Sequence, residues 1–331
     1  MNNSSYMSGL AAGILIRGVP LSLAYPGKQY WVSSSTTVAH QLKGVKPGSD
    51  TGATKGTYND PFATIDYAVG RCTASRGDVI FVKPNYTQTI ADATSLLLDV
   101  AGVAVIGLGG GTSRPTLTFS AATSNIPVSA ANVAVYNILF TTVTATTDVA
   151  SLFTVSGTAL ASDFTVQKCE FRDTATTEAI VAVITDNATA QNLAGLYFAD
   201  NEIISLSDAT TTTTLKIDTA SNRMKLLRNF GTYRVLNDEP AFLKAGAADH
   251  LQFAFGDNIL NKPSTESSTE ATFISGTGTG WTGHCYRNLL WQLDGAAGIW
   301  ITATTKLAFS ENYSPITGAA EKSGLINPAA V

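Results

Sequence analysis

Pairs of apolar residues separated by one position recur along the chain, and an Asn or a small residue follows each pair. The copies begin at Val79, Val103, Val133, Phe164, Leu196, Met224, Phe253, His284 and Leu307. The first seven starts lie 24 to 32 residues apart. Because apolar residues at every second position are typical of strands with one buried face, the pattern predicts a repeat of short β-strands.

The polar mark after each pair keeps a fixed register in five copies. It lies five residues after the first apolar residue and three after the second, at Cys169, Asn201, Asn229, Asn258 and Asn312. Asn288 keeps only the nearer apolar partner, and Asn137 is one residue out of step. We expect these asparagines to form a corner where amide groups hydrogen-bond from one repeat to the next.

The repeat predicts an all-β fold. Further strand candidates lie between the marks, so each period holds two or three short strands and has no room for a crossover helix. An antiparallel sandwich is one alternative, but it does not require a polar mark at a fixed period. A parallel solenoid does, because equivalent residues stack at about 4.8 Å per rung. We expect about nine rungs and a rod roughly 40 Å long.

A short amphipathic helix is predicted at 61–72, directly before the first strand copy. Asp60 suits the N-cap and Pro61 suits the first helical position. The apolar face of the helix comprises Phe62, Ile65, Ala68, Val69 and Cys72. Since an open solenoid exposes apolar side chains at its ends, we expect this helix to be a lid on the first rung.

The segment "DPFATIDYAVGRCTASRGDVIFVKPNYTQTI" resembles the first segment of right-handed parallel β-helix proteins of the pectin-lyase-like class. The shared cue is "P-F-x-T-I-x-x-A", then "G-D-x-I-x-V-x-P" and a turn ending in "T-I". The resemblance implies a single-stranded right-handed parallel β-helix with an N-terminal capping helix and extended terminal arms. It is specific for the fold and says little about function.

A narrower resemblance rests on "GTYNDPFATIDYA", "AGVAVIGLGGGTSRPTLTF" and "VSAANVAVYNILF". Together these are similar to segments of structural proteins of tailed bacteriophages, either capsid decoration proteins or tailspikes. That resemblance implies a homotrimer in the virion, at the capsid surface or alternatively at the tail. The implied partners are the major capsid protein or other virion proteins.

Three regions are predicted along the chain. Residues 1–57 show no strand copy and are expected to be an N-terminal arm. Residues 58–314 hold the lid and the repeats, and residues 315–331 are expected to be a loose C-terminal tail.

Composition narrows the function classes. Only 14% of the residues are charged, the net charge is −4, and no run of Lys or Arg stands out, so we expect no nucleic-acid binding. No apolar run reaches the roughly 18 residues of a membrane span, so no membrane insertion is expected. The widely spaced cysteines, Cys72, Cys169 and Cys285, lack metal-ligand spacing, and we expect no metal or cofactor.

Candidate catalytic carboxylates lie beside the corner asparagines. Polysaccharide hydrolases need two carboxyl groups roughly 5 to 9.5 Å apart. Asp200, Glu202 and Asp257 are the candidates, but Asp200 and Asp257 are separated by about two rungs, or roughly 10 Å. We therefore expect solvated turn acids and no catalytic set. A lyase needs a cationic cluster, and the densest basic group is Arg223, Lys225 and Arg228.

Aromatic residues are concentrated in the last rungs. The set consists of Trp281, Tyr286, Trp291 and Trp300. Such a cluster fits a C-terminal cap or a subunit interface, where Trp and Tyr are enriched, and alternatively a platform for sugars.

These observations favour a non-enzymatic structural virion protein that decorates or cements a phage capsid through its arms. The alternative is a tailspike-like protein that binds or depolymerises a bacterial surface polysaccharide. An aromatic, acidic groove along the rungs would favour the alternative.

Overall fold

The computed structural model describes residues 15–16, 19–20, 27–35, 46–52, 55–143, 148–155, 161–174, 179–186, 193–206, 213–233, 241–245, 249–262, 272–276, 280–292, 298–301, 306–314 and 324–325.

Three long sheets run along the molecule. Sheet 1 contains β3 (Gln29–Val32), β4 (Val79–Val82), β6 (Ala104–Gly107), β9 (Ala134–Tyr136), β12 (Thr165–Gln167), β15 (Tyr197–Ala199), β19 (Lys225–Leu227), β23 (Phe253–Gly256), β26 (Thr282–Tyr286) and β29 (Lys306–Ser310). Sheet 2 contains β5 (Thr87–Ile90), β7 (Thr116–Phe119), β10 (Leu139–Thr142), β13 (Glu170–Arg172), β16 (Glu202–Ser205), β20 (Phe230–Tyr233), β24 (Ile259–Lys262), β27 (Leu289–Gln292), β30 (Tyr313–Ser314) and β31 (Gly324–Leu325). Sheet 3 contains β8 (Ile126–Pro127), β11 (Phe153–Val155), β14 (Ala182–Asp186), β17 (Thr213–Ile217), β21 (Ala241–Ala245), β25 (Thr272–Gly276) and β28 (Gly298–Ile301).

The remaining elements are small. Strands β1 (Leu15–Ile16) and β2 (Val19–Pro20) pair antiparallel, and β18 (Ser221–Asn222) pairs in parallel with β22 (His250–Leu251). The α-helix α1 spans Ile65–Val69, and a 3-10 turn spans Gly111–Ser113. None of the helices in the described ranges is long and apolar enough to cross a membrane.

The strands pair in parallel with the register of the sequence repeat. Val166 pairs with Phe198, Phe198 with Leu226, and Leu226 with Phe255, so each first-strand apolar residue stacks on its equivalent. All four side chains are buried. The predicted class, an all-β parallel solenoid, is confirmed, and the antiparallel sandwich is excluded.

The solenoid has fewer complete turns than the nine rungs expected. Sheet 3 has seven strands among the described residues, so seven levels contribute a strand to all three sheets. The difference arises at the ends of the stack. The levels of β4 and β5 and of β29 and β30 add strands to sheets 1 and 2, but no described strand to sheet 3.

The core is a continuous stack of apolar side chains between the three sheets. Phe140 and Phe171 stack with ring centroids 5.2 Å apart, and Phe171 stacks on Phe198 at 5.9 Å. Phe153 of sheet 3 meets the edge of Phe140 at 5.2 Å. Since offset and edge-to-face aromatic contacts add about 0.5–1.5 kcal/mol each, the ring column holds the levels in register.

The capping helix is shorter than the predicted 61–72, and its N-cap is Thr64, not Asp60. The Thr64 hydroxyl accepts a hydrogen bond from the Tyr67 amide at 3.2 Å. Asp60 instead binds the ammonium groups of Lys46 and Lys55. Tertiary partners thus remove Asp60 from the helix terminus.

Pro61 and Phe62 also lie outside the helix. The Phe62 amide donates to the Trp31 carbonyl at 2.8 Å, which makes this segment an extended partner of β3. Phe62, Ile65 and Val69 are nonetheless buried in the core, as a lid requires.

Sheet 1 begins within the segment that the sequence assigns to an N-terminal arm. Strand β3 at residues 29–32 pairs in parallel with β4, so the sheet starts before residue 58. At the other end, β31 at 324–325 lies in the predicted tail and pairs antiparallel with β30. Most of the remaining residues of 1–57 and 315–331 lie outside the described residues.

Candidate functional site

The predicted asparagine corner is present between sheets 1 and 2. Five amide side chains stack over consecutive levels, each at most 2% exposed: Asn201, Asn229, Asn258, Asn288 and Asn312. Each follows a residue of positive φ, in which the chain turns from sheet 1 towards sheet 2.

Each step of the ladder repeats the same hydrogen bonds. The Asn258 Oδ1 accepts from the Asn229 backbone amide at 2.9 Å and from the Asn229 Nδ2 at 3.0 Å. The Asn258 Nδ2 donates to the Leu226 carbonyl at 3.0 Å and to the Asn288 Oδ1 at 2.9 Å. One side chain therefore satisfies buried polar groups on both neighbouring levels.

Two positions mark the start of the ladder. The Cys169 amide donates to the Asn201 Oδ1 at 2.9 Å, so Cys169 occupies the same corner without an amide side chain. Asn137 lies one position earlier, in the turn residue itself, with φ of 54°. Its Nδ2 donates to the carbonyls of Gly107 and Gly109, and this confirms that it is out of step with the ladder.

A row of charged residues lies directly before the buried corner. These turn residues have φ between 49° and 58°, and their charges alternate from level to level: Lys168, Asp200, Arg228, Asp257, Arg287 and Glu311. The alternation brings opposite charges onto adjacent levels.

The candidate carboxylates Asp200 and Asp257 are held by arginines in this row. Arg228 donates to both oxygens of Asp200, at 2.7 and 2.9 Å, and Arg287 does the same for Asp257, at 2.8 and 2.9 Å. The Arg228 hydrogen bond lowers the pKa of Asp200 and raises that of the guanidinium. Asp200 is therefore not adapted to deliver a proton at neutral pH.

Glu202 does not join the other two candidates. It is the first residue of β16 and lies exposed on the outer face of sheet 2, between Glu170 and Phe230 of the adjacent strands. Glu202 thus lies in a strand of sheet 2, whereas Asp200 and Asp257 lie in the turns between sheets 1 and 2, where an arginine holds each of them.

A groove of about 820 Å³ lies on the outer face of sheet 1. Its floor contains the small side chains of Ala104, Ala134 and Thr165, which pair on three consecutive levels. Tyr136 and Gln167 line it in the neighbouring column of outward positions. Small residues beside large ones make this part of the sheet concave.

Larger polar side chains bound the groove towards the middle of the solenoid. Tyr197 pairs with Thr165 on the next level, Lys225 pairs with Tyr197 on the level after that, and both side chains line the groove. Arg228 donates to the Tyr197 hydroxyl at 3.1 Å, which orients the ring while the same guanidinium binds Asp200.

The second side of the groove is a row of turn residues with left-handed backbone. Gly102, Asn132, Asp163, Gly195, Arg223 and Gln252 have φ between 54° and 77°. At Gly195, which has a φ of 77°, an added Cβ would lie 2.1 Å from the Asp163 Oδ1, so a larger residue there would displace the Asp163 side chain.

The charge of the groove is mixed. The Arg223 guanidinium lies 3.4 Å from the Asp163 carboxylate across two levels of the rim. The basic group predicted from the sequence, Arg223, Lys225 and Arg228, is thus gathered at one end of the groove. Two of its three members have a carboxylate partner within the chain.

The four aromatic residues of the last rungs do not form one platform. Trp281 is fully buried, with its ring 4.4 Å from His250 and 5.4 Å from Phe253. Tyr286 lies on sheet 1 over Gly256, where a Cβ would meet the ring at 2.3 Å.

Trp291 lies half-buried on sheet 2, and Trp300 lies in β28 of sheet 3 with its side chain outside the described residues. The four aromatic residues are close in sequence but lie on different sheets, because the chain passes through three sheets on each level.

The groove residues Tyr136, Gln167 and Tyr197 were missed by the sequence analysis. The available signal was the pair of outward positions in each copy. Tyr197 lies between the apolar residues Leu196 and Phe198, whereas Tyr136 and Gln167 directly follow the second apolar residue of their copies. Aligning those outward positions over successive periods would have placed the small floor beside the tyrosines.

No metal centre is formed by the described side chains: no group of three or more His, Cys, Asp or Glu is arranged to hold an ion.

Comparisons with known proteins add support for the fold alone. No protein-family model and no curated protein sequence matches the chain. A solved structure of a rhamnogalacturonan lyase is similar, with a TM-score of 0.50 and 11% sequence identity. The match covers 87% of this chain and 74% of that one, so the likeness in parallel β-helix fold extends over most of the chain.

Proposed function

We propose that the protein binds a bacterial surface polysaccharide in the sheet 1 groove without cleaving it, as a tailspike-like structural protein of a phage particle. The observation that carries the proposal is the groove itself. Its volume, about 820 Å³, lies within the roughly 300–1,000 Å³ of ligand sites. It also extends over consecutive levels, which suits a linear polymer.

The lining has the chemistry that sugar rings require. Tyr136 and Tyr197 provide apolar ring faces with a polar hydroxyl, and Gln167, Thr165 and Lys225 provide hydrogen-bonding groups near them. The small floor leaves room for rings to approach the strand backbone.

The charge pairing supports binding without hydrolysis. The acid of a glycosidase must remain protonated until it transfers its proton, whereas Arg228 lowers the pKa of Asp200. The rim carboxylate of Asp163 faces Arg223 at 3.4 Å. The acidic character expected of a cleaving groove is offset by these cations.

Binding to an array of bacterial capsular and O-antigen polysaccharides tests the proposal. Tyr197→Ala is expected to weaken binding about tenfold, because an aromatic face contributes about 0.5–1.5 kcal/mol. Tyr286→Ala is the matched control, since Tyr286 lies on the same sheet beyond the groove. A chain that binds no polysaccharide, or equal binding by both variants, contradicts the proposal.

Cleavage is measured separately on any polysaccharide that binds. Release of reducing ends would indicate hydrolysis, and a new absorbance from an unsaturated product would indicate elimination. Either product would overturn the non-enzymatic part of the proposal and leave the binding part intact.

Capsid decoration is the second candidate, and the ion-paired carboxylates favour it as well because a cementing protein needs no free acid. In that case the predicted arms, 1–57 and 315–331, contact the major capsid protein. Immunogold labelling of virions distinguishes the candidates: labelling at the capsid surface supports decoration, and labelling only at the tail contradicts it.

A further inference from the structure

The carboxylate of Asp200 connects three consecutive levels beside the sheet 1 groove. Asp200 directly follows β15, Gln167 belongs to the level before it and Arg228 to the level after it. The Gln167 Nε2 donates to the Asp200 Oδ2 at 2.7 Å. From the other side, Arg228 donates through Nε to Oδ1 at 2.7 Å and through Nη2 to Oδ2 at 2.9 Å. The ion pair of this corner is therefore joined to a residue of the groove.

Gln167 lines the groove, and its contact with Asp200 decides how its amide is oriented. The Arg228 hydrogen bond lowers the pKa of Asp200, so the carboxylate is ionised at neutral pH. An ionised carboxylate only accepts hydrogen bonds, so the amide nitrogen of Gln167 must face Asp200. The carbonyl oxygen Oε1 is then turned away from Asp200. Gln167 therefore offers the groove a hydrogen-bond acceptor.

Tyr197 lines the same groove, and Asp200 holds it through Arg228. The Arg228 Nη2 donates to the Tyr197 hydroxyl at 3.1 Å and to the Asp200 Oδ2 at 2.9 Å. Because the planar guanidinium binds the carboxylate with two nitrogens, Asp200 fixes where Nη2 lies. A guanidinium has no acceptor, so the Tyr197 oxygen accepts and its own proton remains for a ligand. Tyr197 thus offers the groove a donor.

We infer that Asp200 is a positioning residue of the groove, which sets the Gln167 acceptor and the Tyr197 donor on adjacent levels to bind the hydroxyl groups of a sugar. The inference rests on the proposed binding of a polysaccharide in this groove. Asp200 and Arg228 are not among the described residues that line the groove, so they act through Gln167 and Tyr197. Side chains that are held in place before binding lose less conformational freedom when the ligand arrives.

The same ion pair recurs two levels further along the row, away from the groove. Arg287 donates to both oxygens of Asp257, at 2.8 and 2.9 Å. Its guanidinium carbon lies 5.3 Å from the ring centroid of Tyr286, which is not among the described residues of the groove lining. Asp257 therefore provides a matched control, with the same charge and the same bidentate arginine.

Calorimetry of the full chain with the polysaccharide selected on the array tests the inference at neutral pH. Asp200→Asn is expected to raise the dissociation constant about fivefold, because both groove side chains must then be ordered on binding. An amide in place of the carboxylate has one oxygen and cannot accept from Gln167 and from both nitrogens of Arg228 in the same way. Asp257→Asn is expected to leave the dissociation constant unchanged.

A double-mutant cycle separates positioning from a general effect of charge. Gln167→Ala/Tyr197→Phe removes both groups that Asp200 positions and keeps an aromatic ring in the groove. In that background, Asp200→Asn should change the dissociation constant by less than about twofold.

Thermal unfolding shows whether each variant is folded. Asp200→Asn and Asp257→Asn should lower the melting temperature by similarly small amounts, so that stability does not explain a difference in binding. If Asp200→Asn does not fold, Arg228→Lys provides the test. It keeps a cation beside Asp200 but not the fork that reaches Tyr197, and it should raise the dissociation constant about threefold.

Two results would overturn the inference and leave the proposed binding intact. One is an equal dissociation constant for Asp200→Asn and Asp257→Asn. The other is an effect of Asp200→Asn that persists in full without the Gln167 amide and the Tyr197 hydroxyl. An unaltered chain that binds no polysaccharide would instead overturn the proposed function, and this inference with it.

Discussion

Two rows of residues run side by side at the corner between sheets 1 and 2. On each level, the residue of one row directly precedes the residue of the other in the sequence. In the buried row, Asn229, Asn258 and Asn288 are at most 1% exposed and make identical hydrogen bonds on every level. In the row directly before it, Arg228 and Asp257 are partly exposed and carry alternating charge. Both rows satisfy polar groups, but in different dielectric surroundings.

The difference teaches where polar interactions stabilise this solenoid. A buried amide that loses its partner keeps the full desolvation cost, about 1–3 kcal/mol per group. A solvent-exposed ion pair gains little, typically about 0–1 kcal/mol, because water competes for both charges. The amide row should therefore contribute most to the free energy of unfolding. The charged row should contribute little to it and should mainly favour the alignment of adjacent levels.

The largest effect is expected from removing one amide in the middle of the ladder. Asn258→Ala removes the acceptor of two Asn229 donors and one donor to the Leu226 carbonyl. We expect the free energy of unfolding to fall by about 3 to 5 kcal/mol in denaturant titrations.

Asn137→Gly is the matched control for Asn258→Ala, because Asn137 lies at the same corner but outside the ladder and Gly accepts its φ of 54°. Its loss is expected to be about 1 kcal/mol. Equal losses for the two variants would contradict a special role for the buried row.

A second buried polar group gives a pH signature. His250 is fully buried, its Nδ1 lies 2.8 Å from the Ser221 Oγ, and Asp249 is the acidic group beside it. Burial lowers the pKa of His250 to about 4, whereas an imidazole in an unfolded chain has a pKa of about 6.5.

Because the unfolded chain binds a proton first, the His250 contribution is complete above pH of about 6.5 and is lost as the pH falls towards about 4. Unfolding of His250→Gln should show a flatter dependence on pH over this window. The same slope in both proteins would show that the slope has another origin.

The smallest effect is expected in the charged row. Arg228 lowers the pKa of Asp200, so this ion pair stabilises the fold above the carboxyl pKa of an unfolded chain, about 3.9, and the contribution is lost as the pH falls further. Asp200→Asn should lower the melting temperature slightly at neutral pH, and by less at the acidic end and in high salt. A loss as large as that of Asn258→Ala would remove the contrast between the rows.

The sequence was sufficient for the fold class and for the ladder. The period of the solenoid can be read from the apolar pairs and from the asparagines that follow them at a fixed offset. Each level stacks on the next, as Phe198 does between Val166 and Leu226, so equivalent positions must hold the same residue types. The sequence also indicated that Asn137 lies outside the ladder, because its offset from the apolar pair differs by one residue.

The lid was predicted in outline but not in detail. A local rule assigned the N-cap to Asp60, but its carboxylate binds Lys55, five residues before it, and Lys46, 14 residues before it. Thr64 caps the helix with the support of Asp50, which accepts from its hydroxyl at 2.8 Å. Preferences for residue types at helix termini do not show which of these side-chain partners Asp60 and Thr64 take.

The groove and the charge row were not predicted because they depend on lateral neighbours. Asp200 was assigned as a solvated turn acid, but its partner Arg228 is 28 residues away and becomes adjacent only through the stacking of levels. Tyr136 and Tyr197 lie in a common groove for the same reason.

The amide ladder also makes the length of the rod adjustable. Asn229, Asn258 and Asn288 offer the same donors and acceptor to the level above and to the level below. Excising one whole period between two such residues should therefore rejoin equivalent partners and shorten the rod by about 4.8 Å. Insertion of a period should lengthen the rod by the same step. The number of periods that end in such an asparagine would then set the length of the rod.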